Sequence, residues 1–545
     1  MLARIFAHTV LAAVCYAQLV ACAEDTPPPD IAKPITKPAP DLTPDATIGS
    51  TLPEITAALQ NGEITAEALV QRYLDRIELV DRRGPTLQSV LSLNPNALKD
   101  ARRLDAQRAS GEPLGALHGI PVLLKDNIET LDPVATTAGA IALKANVTGR
   151  DSPLVAGLRA AGAIVLGKTN LSQWANFRSN DSVSGWSAMG GQVRNPHMLD
   201  RSPCGSSSGS GVAAAASLAA ATVGTETNGS IICPANVNGV VGFKPTLGLV
   251  SQQHIVPIAS SQDTAGPITK SVTGAAMMLN AMATGAEKTD YLAGLNESAL
   301  RGARIGVLRF AQGSNADIIE RFDEAIVALR AAGAQIIEID TFAERDDTFW
   351  KAARDVMYYE FKATINDYLA NAAPEVTTRS LGELIAFNEA NAERELALFD
   401  QGIFDEANTL GDLQTPEYLA ARDYVKTFTG RAGIDALLNN HSADVLISPS
   451  GPVASRVDPI NGDVWPNWAG AGWMAAGAGY PHLSVPMGTV HGIPVGLSFI
   501  GGENRDAAVL AYGYAYEQQS TRRVTPAFLT NAEERKEIGR AVRRP

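Results

Sequence analysis

The stretch CGSSSGSGVAAAASLAAATVGTETNGSIIC, from Cys204 to Cys233, is the starting point for interpreting this chain. Two serine-containing turns, GSSSG and TNGS, flank a segment at 212–221 that consists mainly of alanine. A helix of that composition is apolar on every side, so we predict that the segment is a helix buried between the layers of a large domain. Hydroxyl-rich turns at both ends of a buried helix favour the interpretation that it supports a nucleophile.

Short apolar runs alternate with helical patterns along the rest of the chain. Runs at 122–124, 163–167 and 240–243 predict buried strands. The section from Thr341 to Gly430 is mainly helical and rich in aromatic residues, so it is either a layer that shapes a binding site or an ordinary packing layer. The alternation of strand and helix predicts one large α/β domain that begins after residue 48.

Composition and charge exclude several classes of function. The 545 residues have a formal net charge of −13, with 58 acidic and 45 basic side chains. Phosphate binding needs a concentration of Lys and Arg, so we expect no nucleic acid partner. The chain has no glycine-rich nucleotide-binding motif after a strand, and its seven histidines lack metal-ligand spacing. We therefore predict neither a metal nor another cofactor.

The N-terminus has the pattern of an export signal. Residues 1–22 contain a positive Arg4 and an apolar run too short to cross a bilayer. Leu19-Val20-Ala21-Cys22 resembles a bacterial lipobox, whereas Ala21-Cys22-Ala23 fits ordinary signal cleavage. We favour a lipid anchor at Cys22, because the proline-rich linker 23–48 would act as a spacer. This predicts a cell envelope lipoprotein that faces the periplasm or the exterior, with a soluble periplasmic or secreted protein as the alternative.

Lys125 and four serines are the candidate catalytic side chains. Lys125 directly follows the buried run Val122-Leu123-Leu124, so its amine either reaches solvent or is held in the interior for a reason. The hydroxyls that a base could activate are those of Ser206, Ser207, Ser208 and Ser230. The TNGS turn could also aim several backbone N–H groups at one point, as in an anion-binding nest.

An α/β-hydrolase elbow is one alternative, because Gly205 to Gly209 has the pattern Gly-x-Ser-x-Gly with Ser207 at its centre. That motif requires a strand that leads directly into the turn. The preceding residues, 195–204, contain two prolines and several polar groups, and they make a poor buried strand. We therefore disfavour Ser207 as the nucleophile.

Cys204 and Cys233 lie beside the two serine turns. We favour two buried thiols that pack as small apolar groups, and a disulfide between them is the alternative.

Four motifs together closely resemble the amidase signature family: GIPVLLKDNI, CGSSSGSG, GTETNGSIICPANVNGVVGFKPT and SQDTAGP. The similarity extends from about residue 50 to residue 529, and within the family these motifs most resemble the bacterial peptide amidases. The resemblance implies one large domain, residues 49–530, with a central mixed sheet covered by helices on both faces. A charged C-terminal tail, 531–545, would follow it.

The resemblance also implies roles for individual residues. Ser230 falls on the family's nucleophile, Ser206 on its bridging serine after a cis peptide bond, and Lys125 on its general base. The oxyanion would be bound by backbone N–H groups of Ser230 and of three residues before it: Thr227, Asn228 and Gly229.

Two consequences can be tested against physical chemistry. Lysine acts as a base only when neutral, so the pKa of Lys125 must lie well below its usual value of about 10.4, which burial favours. Asn228 departs from the family, which mostly has Gly at this position and Asp in the peptide amidases. Because the backbone N–H donates whatever the side chain is, we expect the oxyanion site to survive.

These features predict an amidase that hydrolyses a carboxamide, such as a C-terminal peptide amide, through an acyl-enzyme on Ser230. A hydrolase of small aliphatic or aryl amides is one alternative. A catalytically silent lipoprotein that binds amides or peptides is another, and Asn228 is the feature that favours it. The related transfer component of the tRNA amidotransferases is disfavoured, because an exported chain would meet no tRNA. The sequence predicts no particular oligomeric state.

Overall fold

An eleven-stranded mixed sheet runs through the part of the chain that the computed structural model describes, residues 41–465 and 468–543. The strands of that part are β1 (Val90–Leu93), β2 (Pro121–Lys125), β3 (Ile164–Thr169), β4 (Trp186–Ser187), β5 (Gly191–Gln192), β6 (Ala221–Glu226), β7 (Val241–Lys244), β8 (Thr264–Thr269), β9 (Arg304–Leu308), β10 (Gln335–Ile339), β11 (Val445–Pro449), β12 (His482–Val490) and β13 (Ile493–Ile500). The order in the large sheet is β1-β3-β2-β6-β8-β7-β12-β13-β11-β9-β10, while β4 and β5 form a separate ribbon.

Helices flank this sheet, and from residue 42 onward the chain forms one compact unit. The α-helices are α1 (Ala46–Gly49), α2 (Leu52–Gln60), α3 (Ala66–Arg76), α4 (Ala97–Ala109), α5 (Pro153–Ala160), α6 (Ser208–Ala215), α7 (Ile232–Asn238), α8 (Val272–Met282), α9 (Ala316–Ala331), α10 (Asp347–Ala370), α11 (Leu381–Ala390), α12 (Ala392–Glu395), α13 (Gly402–Thr409), α14 (Pro416–Lys426), α15 (Asp435–Asn440), α16 (Gly472–Ala478), α17 (Asp506–Ser520) and α18 (Lys536–Val542). Within the described residues, none of these helices has the length and apolarity that a bilayer span requires.

The strands near the centre of the sheet are buried over their whole length, as in β2, β6 and β8. A strand that is covered on both faces consists of a continuous run of apolar or small residues, and not of alternating apolar and polar residues. This is why the runs at 122–124, 163–167 and 240–243 predict strands, and β2, β3 and β7 confirm them. The α/β prediction, with a mixed central sheet in one large domain, is also confirmed.

The alanine-rich segment is helical only in its first half, so the prediction of a helix over 212–221 is wrong for the second half. Helix α6 ends at Ala215, and Ser217 has a φ of 59°, after which the chain enters β6 at Ala221. Alanine by itself does not fix where the helix ends. The β-branched residues that follow, Thr222 and Val223, favour an extended strand.

The leader 1–22 and residues 23–40 of the predicted linker lie outside the described residues. The lipid anchor at Cys22 therefore stays a prediction from sequence.

Candidate active site

Two parallel strands bring the sequence-predicted residues to one edge of the sheet. β2 and β6 pair side by side, with Leu124 opposite Val223, so their carboxyl ends lie together. Lys125 is the last residue of β2, and Glu226 is the last residue of β6. In open α/β sheets, ligand sites form outside the carboxyl ends of the strands.

The amine of Lys125 is held in the interior by three oxygen atoms. Its Nζ lies 2.8 Å from Ser206 Oγ, 2.8 Å from Thr225 Oγ1 and 3.3 Å from the Thr225 carbonyl oxygen. The side chain is fully buried, and this burial lowers the pKa of Lys125 to about 7. The nearby charges of Asp263 and Glu226 act in the opposite direction and are the smaller influence. A substantial fraction of the amine is therefore neutral near pH 7.

Ser206 contacts Lys125 and lies in a tightly packed turn, next to Gly205, which lines the cleft. The Gly205–Ser206 peptide bond is cis, and the Ser206 carbonyl accepts a hydrogen bond from the Ser172 N–H at 3.1 Å. A side chain at position 205 would overlap Ser172 Oγ, which is why this position requires glycine. Ser207 ties the turn to the second serine turn, because its N–H donates to the Ser230 carbonyl at 3.1 Å.

The TNGS turn presents backbone donors to a cleft. Gly229 has a φ of +82°, which brings successive N–H groups to one side as in a nest. In the described ranges, 41–465 and 468–543, the N–H groups of Asn228, Gly229 and Ser230 donate no hydrogen bond to another residue. Asn228 is exposed and still offers its N–H, so the change from the family residue leaves this donor in place.

Glu226 anchors the other side of the same turn. Its Oε2 accepts hydrogen bonds from the N–H groups of Ile231 at 2.8 Å and Ile232 at 3.0 Å, where α7 begins. A carboxylate at a helix N-terminus is favourable, because the first N–H groups of a helix lack partners within the helix. Glu226 thus holds the residues that directly follow Ser230.

Asp263, within the SQDTAGP motif, lies beside the TNGS turn, although the sequence alone predicts no role for it. Thr227 Oγ1 donates to Asp263 Oδ1 at 2.6 Å, and Oδ2 accepts the N–H groups of Ile258 and Ala259. Burial raises the pKa of Asp263 to about 6. Asp263 directly precedes β8, which pairs with β6. Its place in the site could have been predicted only if the pairing of these two strands had been known.

Cys204 and Cys233 form a disulfide, so the expectation of two free thiols is wrong. Their Cα atoms lie 5.8 Å apart, within the range that a disulfide spans. The contact between Ser207 and Ser230 explains the pairing, because it brings the two cysteine-bearing turns together. The feature of the sequence that could have predicted this disulfide is the placement of one cysteine beside each serine turn.

Ser207 is not available as a nucleophile. Its hydroxyl donates to the Thr225 carbonyl at 3.0 Å and accepts the Thr225 N–H at 3.1 Å, and the side chain is fully buried. The segment that leads into the turn is not a strand, since β5 ends at Gln192. The α/β-hydrolase elbow is therefore excluded on both grounds.

A cleft of about 620 Å³ opens onto Ser230, Asn228 and Gly205, whereas Lys125 and Ser206 are fully buried and do not line it. Helix α10 and the region around the start of α16 supply walls that are largely aromatic: Phe349, Trp350, Tyr358, Trp465, Trp468 and Trp473. The helical section between 341 and 430 therefore shapes a cleft, in addition to packing against the domain. Among the described residues, no cluster of His, Cys, Asp and Glu could hold a metal ion.

Comparisons with known proteins identify the family of this chain. The family model described as Amidase matches residues 68–510. The peptide amidase PAM, solved in complex with the competitive inhibitor chymostatin, is 45% identical, with a TM-score of 0.84, and the match covers 88% of this chain and 99% of that one. A probable amidase of Arabidopsis thaliana is 34% identical over 504 residues, which are 88% of this chain and 92% of the relative.

A component of the glutamyl-tRNA(Gln) amidotransferase from Halorhodospira halophila is also similar, at 34% identity over 86% of this chain and 96% of the relative. The family match covers most of the chain, and it includes Lys125, both serine turns and Asp263. The chain therefore belongs to the amidase family and is a hydrolase that acts on amide C–N bonds.

Proposed function

We propose that this amidase hydrolyses the terminal carboxamide of a peptide or a related amide, with Ser230 as nucleophile, Ser206 as proton relay and Lys125 as general base. The observation that supports it most is the fully buried amine of Lys125, 2.8 Å from Ser206 Oγ. Burial of an amine without an ion pair is costly, and a base that works at neutral pH needs such a lowered pKa.

Three oxygen atoms surround the amine of Lys125, two of Thr225 and the Oγ of Ser206. When the amine is neutral, its two N–H groups can donate to the Thr225 oxygen atoms, and its lone pair can accept the proton of the Ser206 hydroxyl. In the first step Ser230 Oγ forms a bond to the carboxamide carbon. Its proton passes to Ser206 Oγ, and the Ser206 proton passes to Lys125 Nζ. The carbonyl oxygen becomes an oxyanion, which the N–H groups of the TNGS turn stabilise.

In the second step the C–N bond breaks. The leaving nitrogen takes a proton that returns from Lys125 through Ser206, and it departs as ammonia from a primary carboxamide. Water then attacks the acyl-enzyme, with the same relay as its base, and releases the carboxylic acid and Ser230. The scheme uses no cofactor.

The substrate class is argued from the cleft. Its aromatic walls suit an acyl group with apolar side chains, and its volume exceeds what a simple aliphatic amide would fill. The 45% identical peptide amidase, which binds the inhibitor chymostatin, supports the same class. A peptide whose C-terminus is a carboxamide satisfies both points.

Ammonia release from amidated dipeptides tests this proposal. We expect Ser230→Ala to abolish turnover, with Ser110→Ala at the exposed end of α4 as a matched control that retains it. Substantial turnover by Ser230→Ala would contradict the assignment of the nucleophile. Turnover of small aliphatic or aryl amides without turnover of peptide amides would contradict the substrate class.

We also propose that the enzyme is exported and anchored by a lipid at Cys22. The support is the leader sequence, with its lipobox-like residues 19–22 and the proline-rich stretch after them.

A further inference from the structure

Gln262 stands out among the residues that line the cleft. The residue is only 4% exposed, yet its side-chain carboxamide forms no hydrogen bond with any residue in the described parts of the chain. Buried polar side chains are almost always hydrogen-bonded. Its amide atoms are not sealed within the protein, as are Asn127 Oδ1 and Glu226 Oε1, so the cleft is the side from which a partner can approach.

Gln262 and the TNGS turn line the same cleft. β6 and β8 are antiparallel, with Glu226 opposite Thr264, and just beyond this pair the Thr227 hydroxyl donates to Asp263 Oδ1 at 2.6 Å. Gln262 directly precedes Asp263, in the turn that leads into β8. Its carboxamide therefore borders the cleft in which the reacting carbonyl group would bind.

The chemistry of a carboxamide limits what it can recognise. Its oxygen accepts and its NH₂ group donates, so its natural complement is another amide group, which offers one N–H and one carbonyl oxygen. A carboxylate or ammonium ligand would instead call for a charged partner at this position. In a peptide amide, the nearest such group is the peptide bond on the other side of the amidated residue's α-carbon.

We infer that Gln262 binds this peptide group and thereby selects N-acylated amino acid amides, including peptide amides, over amides that lack the group. This inference rests on the proposed function and specifies its substrate class. A site that hydrogen-bonds a polar group discriminates strongly against an analogue without it, because its own buried polar atoms are then left without partners. Gln262 is thus a specificity-determining residue, separate from the proton relay.

The test compares two substrates that differ only in this group, N-acetyl-L-phenylalaninamide and 3-phenylpropanamide. We expect Gln262→Met, which is apolar and of similar length, to lower kcat/KM for the first by about tenfold, the value of one neutral hydrogen bond. The kcat/KM for 3-phenylpropanamide should change less than about twofold, because this substrate makes no contact that the substitution removes. Gln262→Glu keeps an acceptor oxygen and loses the NH₂ donor, so it should show a smaller but equally selective loss.

Gln253→Met is the matched control, since Gln253 lines a smaller cavity of about 270 Å³ and not the cleft. Titration of the active serine with a fluorophosphonate gives the concentration of folded enzyme in each sample. Equal losses on both substrates, or no loss on either, would overturn the inference. If the wild-type enzyme hydrolyses neither amide, the proposed function itself is contradicted and the inference falls with it.

Discussion

At the scale of single residues, the proposed active site depends on a lysine that the fold keeps in the interior. Lys125 has lost its hydration shell, and its three neighbouring oxygen atoms are uncharged groups of Ser206 and Thr225. Because none of these oxygen atoms carries a charge, nothing in direct contact offsets the cost of burying an ammonium ion. The neutral amine is therefore favoured at a pH where an exposed lysine is fully protonated.

The pH dependence of kcat/KM follows from this pKa. Below pH 7 the amine is increasingly protonated and cannot accept a proton, since burial lowers the pKa of Lys125 only to about 7. We expect kcat/KM to rise about tenfold per pH unit under acidic conditions and to level off above neutrality. A rate profile on a neutral amide substrate measures this. A plateau that already extends to pH 5 would contradict a lysine base.

Asp263→Asn should move that profile to lower pH. The carboxylate of Asp263 favours the protonated form of Lys125, so its removal lowers the pKa of the amine further. The plateau should also fall, because asparagine has one acceptor oxygen where Asp263 uses two, so that either Thr227 or the N–H groups of Ile258 and Ala259 lose their acceptor. Asp317→Asn, on the exposed first turn of α9, is the control and should leave the profile in place. A shift to higher pH would contradict the electrostatic account.

The sequence motifs identified Lys125, Ser206 and Ser230, and the structure brings the lysine and both serine turns together. Asp263 and Gln262 were not predictable in the same way. Their roles depend on the pairing of β6 with β8, a contact between segments about forty residues apart. Composition and spacing along the chain do not show which strands become neighbours in the sheet.

At the scale of elements, the disulfide fastens the two serine turns to one another. It joins Cys204, just before the cis peptide bond, to Cys233 in α7, and closes a loop with a sequence separation of 29 residues. Cross-linking a chain restricts its unfolded state, and loops of this size give about 3 kcal/mol of stability.

We expect the double variant Cys204→Ala/Cys233→Ala to lose about 3 kcal/mol of unfolding free energy in urea, since it lacks this cross-link. Wild-type protein unfolded under reducing conditions should lose the same amount and serves as the control. A change below about 1 kcal/mol would show that the bond does not stabilise the fold in solution.

Helix and strand limits were less predictable than element types. The small residues between 216 and 221 are compatible with a helix and with a tight turn. They form a turn here, which allows β6 to pair with β2. Thr65 illustrates the opposite case, because its side chain caps α3 by accepting the Ala68 N–H at 3.1 Å. A capping residue of this kind can be recognised from the local sequence, without knowledge of the fold.

At the scale of the whole molecule, one compact unit begins at residue 42, and the predicted leader would determine where the enzyme works. We expect mature protein from membranes to begin at a lipid-modified Cys22, because the proline-rich stretch then acts as a spacer between bilayer and domain. Intact-mass analysis of the N-terminus measures this. Cys22→Ser should move the enzyme to the soluble fraction, whereas a free Ala23 or Glu24 start without an acyl adduct would contradict the anchor.

The large-scale fold was readable because its strands are continuous apolar runs and its motifs are specific. The cleft could not be predicted from the sequence, because its aromatic walls come from α10 and from residues more than one hundred positions further along the chain. Such surfaces form only when distant segments pack against one another.

The central claim is that Ser230 is acylated with the help of Ser206 and a neutral Lys125. Its most direct test is reaction with a fluorophosphonate probe, followed by mass mapping of the modified residue. The account predicts a single adduct on Ser230, absent in Ser230→Ala, with labelling slowed at least about a hundredfold in Lys125→Ala and Ser206→Ala. An adduct on another serine, or equal labelling rates in these variants, would contradict it.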